Sequence, residues 1–205
     1  MTTATQLKRR DNASQPALRR WTRDEYYRAG STGVFHPGER LELIEGEIFA
    51  KMSPVGSPHR FAVFQTLHAL EAAFGEGFYV VAQAPLTLSD LSEPEPDVLV
   101  AVGTAFDYQE RHPSPGDIRL VVEVSDTTLA FDQGRKARLY ASAGIVEYWI
   151  VNLAGRKVEV LRDPTPTGYR SSLTVSETES VAPISGPGAI QVAVADLLPR
   201  LRRDA

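Results

Sequence analysis

The chain has 205 residues, of which 42% are hydrophobic and none is cysteine, and its formal net charge is -4. This composition predicts a soluble globular protein without disulfides or thiolate metal sites, and it suits a reducing, cytoplasmic location. No apolar run approaches the roughly 18 residues of a membrane span, and the first 20 residues lack the apolar stretch of a secretory signal. The acidic balance argues against a non-specific DNA-binding protein. It does not argue against a nuclease, because bound Mg²⁺ can reverse the local field.

The first part of the chain predicts a basic arm followed by mixed secondary structure. Residues 1–20 carry five basic residues and one acid without a hydrophobic period, so we expect a disordered arm ahead of one domain over 21–205. A capping-box pattern begins a helix at Thr22, and Ser57-Pro58 begins a longer one. The predicted elements are, in order, a helix over 22–29, strands over 40–44 and 47–52, a helix over 57–75, and strands over 78–83 and 86–88.

The second part alternates strands and a helix more regularly. Continuous apolar runs over 98–102 and 118–124 predict strands buried on both faces. The unit from 118 to 152 reads as strand, helix, strand, which implies parallel strands joined by a right-handed crossover. The remaining elements are a helix over 129–143, a strand over 147–152, a hairpin of 157–162 with 169–175, and a turn or short helix over 195–199. We therefore predict an α/β fold whose mixed sheet is flanked by helices, with N-terminal and C-terminal β-hairpin additions.

Three charged residues stand where such a fold places active sites. Asp97 begins an apolar strand, Glu123 interrupts the next one, and Lys136 follows on the helix that leads away from it. Each has a simpler interpretation. Asp97 can be a turn residue beside proline, Glu123 an acid at a strand end, and Lys136 half of a surface ion pair with Asp132. Charged residues are rarely buried unless they are paired, however, and Glu123 lies within a buried run.

Together these residues are typical of a site that hydrolyses phosphodiesters with Mg²⁺, for which Mn²⁺ can substitute. One or two carboxylates suffice for Mg²⁺, because it keeps several waters. Asp97 and Glu123 would supply them, with the carbonyl of Val124 as a further ligand, and the metal would polarise the phosphate. Lys136 would hold the attacking water or stabilise the developing charge. Glu45 is a candidate fourth member, although a plain turn position explains it equally well.

Several motifs resemble one family. They are Leu43-Ile44-Glu45-Gly46-Glu47, Ser57-Pro58-His59, Glu95-Pro96-Asp97-Val98, Val121-Val122-Glu123-Val124-Ser125, and the stretch from Asp132 through Lys136 and Tyr140 to Tyr148-Trp149-Ile150-Val151. In combination they resemble the Uma-two family of restriction-endonuclease-like proteins. The resemblance implies a PD-(D/E)XK nuclease-like fold and Mg²⁺-dependent cleavage of nucleic acid.

The resemblance also assigns roles to single residues. Asp97 matches the motif aspartate and Glu123 the motif acid, and Glu45 matches the acid ahead of the long helix. Ser125 stands where the motif lysine is usual, and Lys136 matches a lysine displaced to the following helix. His59 matches a family histidine, though a cap or surface group explains it as well.

We therefore expect a Mg²⁺-dependent endonuclease acting on DNA, with duplex DNA as the expected partner and a homodimer as one possible assembly. A second hypothesis is a catalytically silent nuclease-fold protein that binds nucleic acid or a partner. A third, a glycoside hydrolase with paired carboxylates, would leave Lys136 without a role. Gln83 could line the site, and Tyr140, Tyr148 and Trp149 are expected in the core.

Overall fold

The computed structural model describes residues 17–36, 38–51, 56–188 and 190–200, and the fold is a mixed α/β arrangement around one six-stranded sheet. The sheet has the strand order β3-β4-β5-β6-β7-β8. Only β5 and β6 run parallel, and every other neighbouring pair is antiparallel. The predicted mixed sheet flanked by helices is confirmed. The strands are β3 (Phe78–Ala82), β4 (Val98–Val102), β5 (Ile118–Ser125), β6 (Glu147–Asn152), β7 (Lys157–Thr165) and β8 (Gly168–Ser176).

Two small hairpin sheets and five helices complete the described part. Strands β1 (Leu41–Ile44) and β2 (Glu47–Ala50) form a separate hairpin, and β9 (Ser180–Val181) pairs with β10 (Val192–Ala193). The helices are α1 (Arg23–Ser31), α2 (Ser57–Phe74), α3 (Leu129–Phe131), α4 (Ala137–Ser142) and α5 (Val194–Leu197), and a 3₁₀ turn spans Ala105–Tyr108. Among the described helices, none is long and apolar enough to cross a membrane.

Side chains alternate between two hydrophobic cores on the two faces of the sheet. Val122 and Trp149 face the core beneath α2, whereas Val121 and Tyr148 face the core beneath α4. Because strand side chains alternate with a period of two, Glu123 lies on the α4 face with Val121. The continuous apolar runs of β5 and β6 are therefore explained by burial on both faces.

Two predicted elements differ from the structure. Residues 86–88 form no strand, because their N–H groups donate to separate loops, at Pro94, Pro113 and Ser92. The predicted helix over 129–143 is interrupted by a π-helical segment, Asp132–Lys136, between α3 and α4. A π turn closes with hydrogen bonds five residues apart, so it widens the helix and shifts which side chains share a face.

The expected basic arm lies mostly outside the described residues. Of its described part, Arg19 pairs with Glu25, and Arg20 donates to the Glu45 carbonyl and pairs with Glu47. These contacts connect the segment to α1 and to the β1–β2 hairpin, so its last residues follow the surface of the domain.

Candidate active site

Asp97 lies at the start of β4 and is 5% exposed. Its Oδ2 accepts a hydrogen bond from the Val124 N–H at 2.9 Å, and His59 Nε2 lies 3.2 Å from the same oxygen. Burial acts to raise the pKa of Asp97, but His59 and the nearby Lys51 ammonium outweigh it and lower this pKa. Asp97 is therefore an ionised carboxylate fixed through one oxygen.

Glu123 lies on β5 beside Asp97, because the register pairs Val98 with Val122. Its Oε1 accepts hydrogen bonds from Lys136 Nζ at 2.9 Å and from the Tyr140 hydroxyl at 2.7 Å. Burial raises the pKa of Glu123 to about 7, although the Lys136 cation opposes this. The carboxylate therefore takes up a proton more readily than an exposed one.

Lys136 ends the π-helical segment and is almost fully buried. Its Nζ lies 2.9 Å from Glu123 and 3.1 Å from Glu42 Oε2. Burial disfavours the cation, but these two carboxylates outweigh it and raise the pKa of Lys136 above its ordinary value. A buried ammonium between two acids therefore stays charged.

The hairpin contributes Glu42 to this cluster, and not Glu45. Glu45 lies in the β1–β2 turn with a positive φ of 51°, its side chain is 56% exposed, and it pairs with Arg135. Glu42 is 4% exposed and lies two residues before the end of β1. The expectation for Glu45 is corrected in this respect, because the turn directs its side chain out of the pocket that holds Glu42. The sequence does contain an indication that Glu42 belongs to the cluster, since Glu42 interrupts an apolar strand as Glu123 does.

A pocket of about 510 Å³ brings these residues together. Its polar lining includes Glu42, Asp97, Glu123 and Lys136, together with Lys51 and His59. Each of the three carboxylates uses a single oxygen for its hydrogen bonds, so its other oxygen has no protein partner among the described residues. Paired acids with one fixed and one open oxygen can act as metal ligands.

The donor set fits Mg²⁺ or Mn²⁺ through two carboxylates and one carbonyl. A strand residue directs its N–H and C=O to the same side. The Val124 N–H contacts Asp97, so its carbonyl also faces the edge of the pocket, which Val124 lines. Within the described ranges, no group of three or more His, Asp or Glu side chains is arranged to hold an ion. Mg²⁺ needs only one or two carboxylates, because waters and substrate phosphates complete its shell.

The π-helical segment is fixed by contacts that do not involve Lys136. Asp132 Oδ2 accepts hydrogen bonds from Ser125 Oγ at 2.5 Å and Thr128 Oγ1 at 2.6 Å, and its carbonyl accepts one from the Tyr148 hydroxyl. Ser125 thus stabilises the segment that carries the lysine. Asp132 and Lys136 are both buried, so they do not form the surface pair of the simpler interpretation.

The other residues considered from the sequence fall into two groups. Tyr140, Tyr148 and Trp149 are in the core as predicted, and Tyr140 also donates to Glu123. Gln83 is exposed and outside the pocket lining. The site role of the Tyr140 hydroxyl could not be inferred from periodicity, which reports burial alone.

Comparison with known proteins identifies the family of the chain. Residues 23–195 match the sequence model of the family described as "Putative restriction endonuclease". The chain belongs to the Uma-two family. A crystal structure of a "putative nuclease" from Anabaena variabilis is similar to this Uma-two chain, with a TM-score of 0.63 and 16% identity over 86% of this chain and 96% of that one. No curated protein matches the chain. Family and fold together support a nuclease, which is a hydrolase.

Proposed function

We propose that this Uma-two protein is a metal-dependent endonuclease that hydrolyses phosphodiester bonds of DNA. The observation that carries the proposal is the pairing of Asp97 and Glu123 in one pocket, where each is fixed through one oxygen and its other oxygen has no partner in the described part of the chain. A carboxylate oxygen that lines a pocket without a protein partner is available to an ion or to water, whereas a fully enclosed one is hydrogen-bonded by the protein.

The chain's own residues divide the work in this proposal. Asp97, Glu123 and the Val124 carbonyl would hold Mg²⁺ or Mn²⁺, which when bound polarises a phosphate and lowers the pKa of bound water. Lys136 keeps Glu123 in position from one side. Its ammonium can donate beyond the two acids it contacts, so it can also stabilise charge that develops on the phosphate. His59 orients Asp97 through Nε2.

Duplex DNA is the proposed substrate, and a homodimer would let two sites address two strands. The net charge of -4 means that the protein's own field does not attract DNA strongly. Metal binding in the acidic pocket would reverse the field locally. DNA binding by this protein should therefore depend on the metal.

Plasmid cleavage by purified protein tests the proposal. We expect nicking or linearisation with Mg²⁺ or Mn²⁺, none with EDTA, and none from Asp97→Asn, which removes a ligand with little change in shape. Asp163→Asn is the matched control, because Asp163 is exposed and its φ of 58° is one that asparagine tolerates. Cleavage by Asp97→Asn at the parent rate would contradict the site. Absence of both cleavage and Mn²⁺ binding would favour the catalytically silent binding module.

A further inference from the structure

The pocket that holds the acids also has an aromatic wall. Phe49 on β2 and Phe131 at the end of α3 both line it, with ring centroids 5.2 Å apart and planes tilted by 47°. Both side chains are only partly buried, so the pocket exposes aromatic surface beside its charged groups. The guanidinium of Arg135 lies over the Phe49 ring, 4.7 Å from its centroid, in a cation–π contact.

Register and chain position fix this wall next to the acid cluster. Phe49 is the direct cross-strand partner of Glu42, and such partners have side chains about 5 Å apart on one face. Glu42 in turn lies 3.1 Å from Lys136. Phe131 directly precedes Asp132, the first residue of the π-helical segment that ends at Lys136. The wall therefore adjoins the position that a scissile phosphate would occupy.

Binding of a phosphate alone would not require this aromatic wall. Metal and phosphate need charged and polar groups, whereas aromatic surface exposed in a wet pocket forgoes the free energy of burial. A ligand with one charged part and one flat apolar part would satisfy both halves of the pocket. A nucleotide has that form, and a cavity of about 510 Å³ is in the range that encloses small organic ligands.

We propose that Phe49 and Phe131 form a subsite for one unpaired nucleobase of DNA beside the scissile phosphate. This inference rests on the proposed nuclease function and adds a substrate class to it, namely DNA in which a nucleotide is unpaired, at a bulge, a frayed end or a flipped position. Aromatic side chains take any base by stacking, so the subsite would select unpaired nucleotides with little preference for sequence.

Fluorescence of 2-aminopurine tests the subsite by binding. The probes are two DNA duplexes, one with 2-aminopurine in a single-nucleotide bulge and one with it fully paired. Titrations use the full chain with Ca²⁺ in place of Mg²⁺, with a repeat in EDTA and a gel to show that the DNA stays intact. We expect the parent to bind the bulged duplex more tightly and to change its fluorescence by stacking.

Substitution of the wall separates stacking from packing. Phe131→Leu and Phe49→Leu keep apolar volume but lose the ring face, so each should bind the bulged duplex about tenfold more weakly and leave the paired duplex unaffected. Phe131→Tyr keeps the ring and should bind as the parent does. Phe64→Leu is the matched control, because Phe64 is 56% exposed on α2 and outside the pocket. Thermal unfolding of each variant shows whether it is folded.

Three results would overturn the subsite. They are a parent without preference for the bulged duplex, an equal loss on both duplexes in Phe131→Leu, and no loss in either leucine variant. Failure of the nuclease proposal looks different. Base binding that depends on the wall, without cleavage under any metal, would keep the subsite and reject the nuclease. Metal-dependent cleavage, together with binding of the bulged duplex that is unchanged in both leucine variants, would keep the nuclease and reject the subsite.

Discussion

Glu123 and Glu147 are both buried on neighbouring strands of one sheet, yet their surroundings differ. Glu123 is 2% exposed near the end of β5, and Glu147 is 0% exposed at the start of β6. Because β5 and β6 run parallel, the two acids lie toward opposite ends of the sheet. Burial alone therefore does not distinguish a structural carboxylate from a candidate catalytic one.

Hydrogen bonding does distinguish them. Glu147 Oε1 accepts from Trp149 Nε1 and from two nitrogens of Arg162, and its Oε2 accepts from the Ile184 N–H. Both of its oxygens are satisfied by the protein. Among the residues that the structure describes, Glu123 has partners at Oε1 only, and it lines a pocket. The open oxygen, more than the burial, identifies the candidate ligand.

The largest expected effect comes from removing the cation that serves Glu123. Lys136→Met leaves two buried acids without their partner, and breaking such a pair costs about 3–5 kcal/mol in the free energy of unfolding. Cleavage should be lost as well. Urea unfolding measures the first and plasmid cleavage the second. Lys157→Met removes a partly exposed lysine that pairs with Glu159 and should cost less than about 1 kcal/mol. Equal losses in the two variants would contradict the buried ion cluster.

The second largest expected effect is the loss of stability when Glu147, the structural carboxylate, is replaced. Glu147→Gln replaces one carboxylate oxygen by an amide N–H₂ group, which cannot accept the hydrogen bonds donated at that position. Hydrogen bonds to charged groups contribute about 1.5–3 kcal/mol each to the free energy of unfolding. We expect a loss of about 3 kcal/mol in urea unfolding. Mn²⁺ binding by the folded protein should be unchanged, as measured by electron paramagnetic resonance. Weaker Mn²⁺ binding by Glu147→Gln under conditions where the variant is fully folded would show that the two ends of the sheet are coupled.

A smaller effect is the dependence of stability on pH. Burial raises the pKa of Glu123 from its ordinary value of 4.5 to about 7, so without metal the folded state binds more protons than the unfolded chain between these values. The contribution of Glu123 is therefore fully present below about 4.5 and is lost as pH rises through about 7. Relative to Glu123→Gln, the parent should lose about 2–3 kcal/mol across this range in EDTA, since one pKa unit corresponds to about 1.4 kcal/mol. Parallel stability profiles of the two proteins would refute this environment for Glu123.

The smallest effect belongs to the hairpin turn. Glu45→Gln alters an exposed pair with Arg135 and should change stability by less than about 0.5 kcal/mol, since exposed ion pairs contribute little. Its cleavage rate should stay within about twofold of the parent. Glu42→Gln, on the same hairpin, should reduce cleavage much more because Glu42 contacts Lys136. A plasmid assay compares the cleavage rates of the two variants. A larger loss of cleavage in Glu45→Gln than in Glu42→Gln would indicate that Glu45 belongs to the active site.

The comparison also shows what the sequence could predict. Strands β5 and β6 were predictable as a buried parallel pair because their apolar runs are continuous and a helix lies between them. Asp97 and Glu123 were predictable as neighbours for the same reason, since both mark the ends of adjacent strands. These inferences depend on periodicity and chain order, which are local properties of the sequence.

Other features depend on tertiary contacts and were not predictable. The π-helical segment is held by Ser125, Thr128 and Tyr148 around Asp132, and no helical period reports such contacts. The choice of Glu42 over Glu45 depends on how the hairpin turns, which a motif in the turn does not specify. The four donors around Glu147 come from three separate segments, so its structural role could be seen only in the fold.

We propose that the open oxygen of Glu123 is a metal ligand, whereas Glu147 is structural. Mn²⁺ binding measured by electron paramagnetic resonance on the parent, Glu123→Gln and Glu147→Gln tests it most directly. We expect the parent and folded Glu147→Gln to bind Mn²⁺ alike, and Glu123→Gln to bind it on the order of tenfold more weakly or worse. A parent that binds no Mn²⁺, or a Glu123→Gln variant that binds as tightly as the parent, would contradict it.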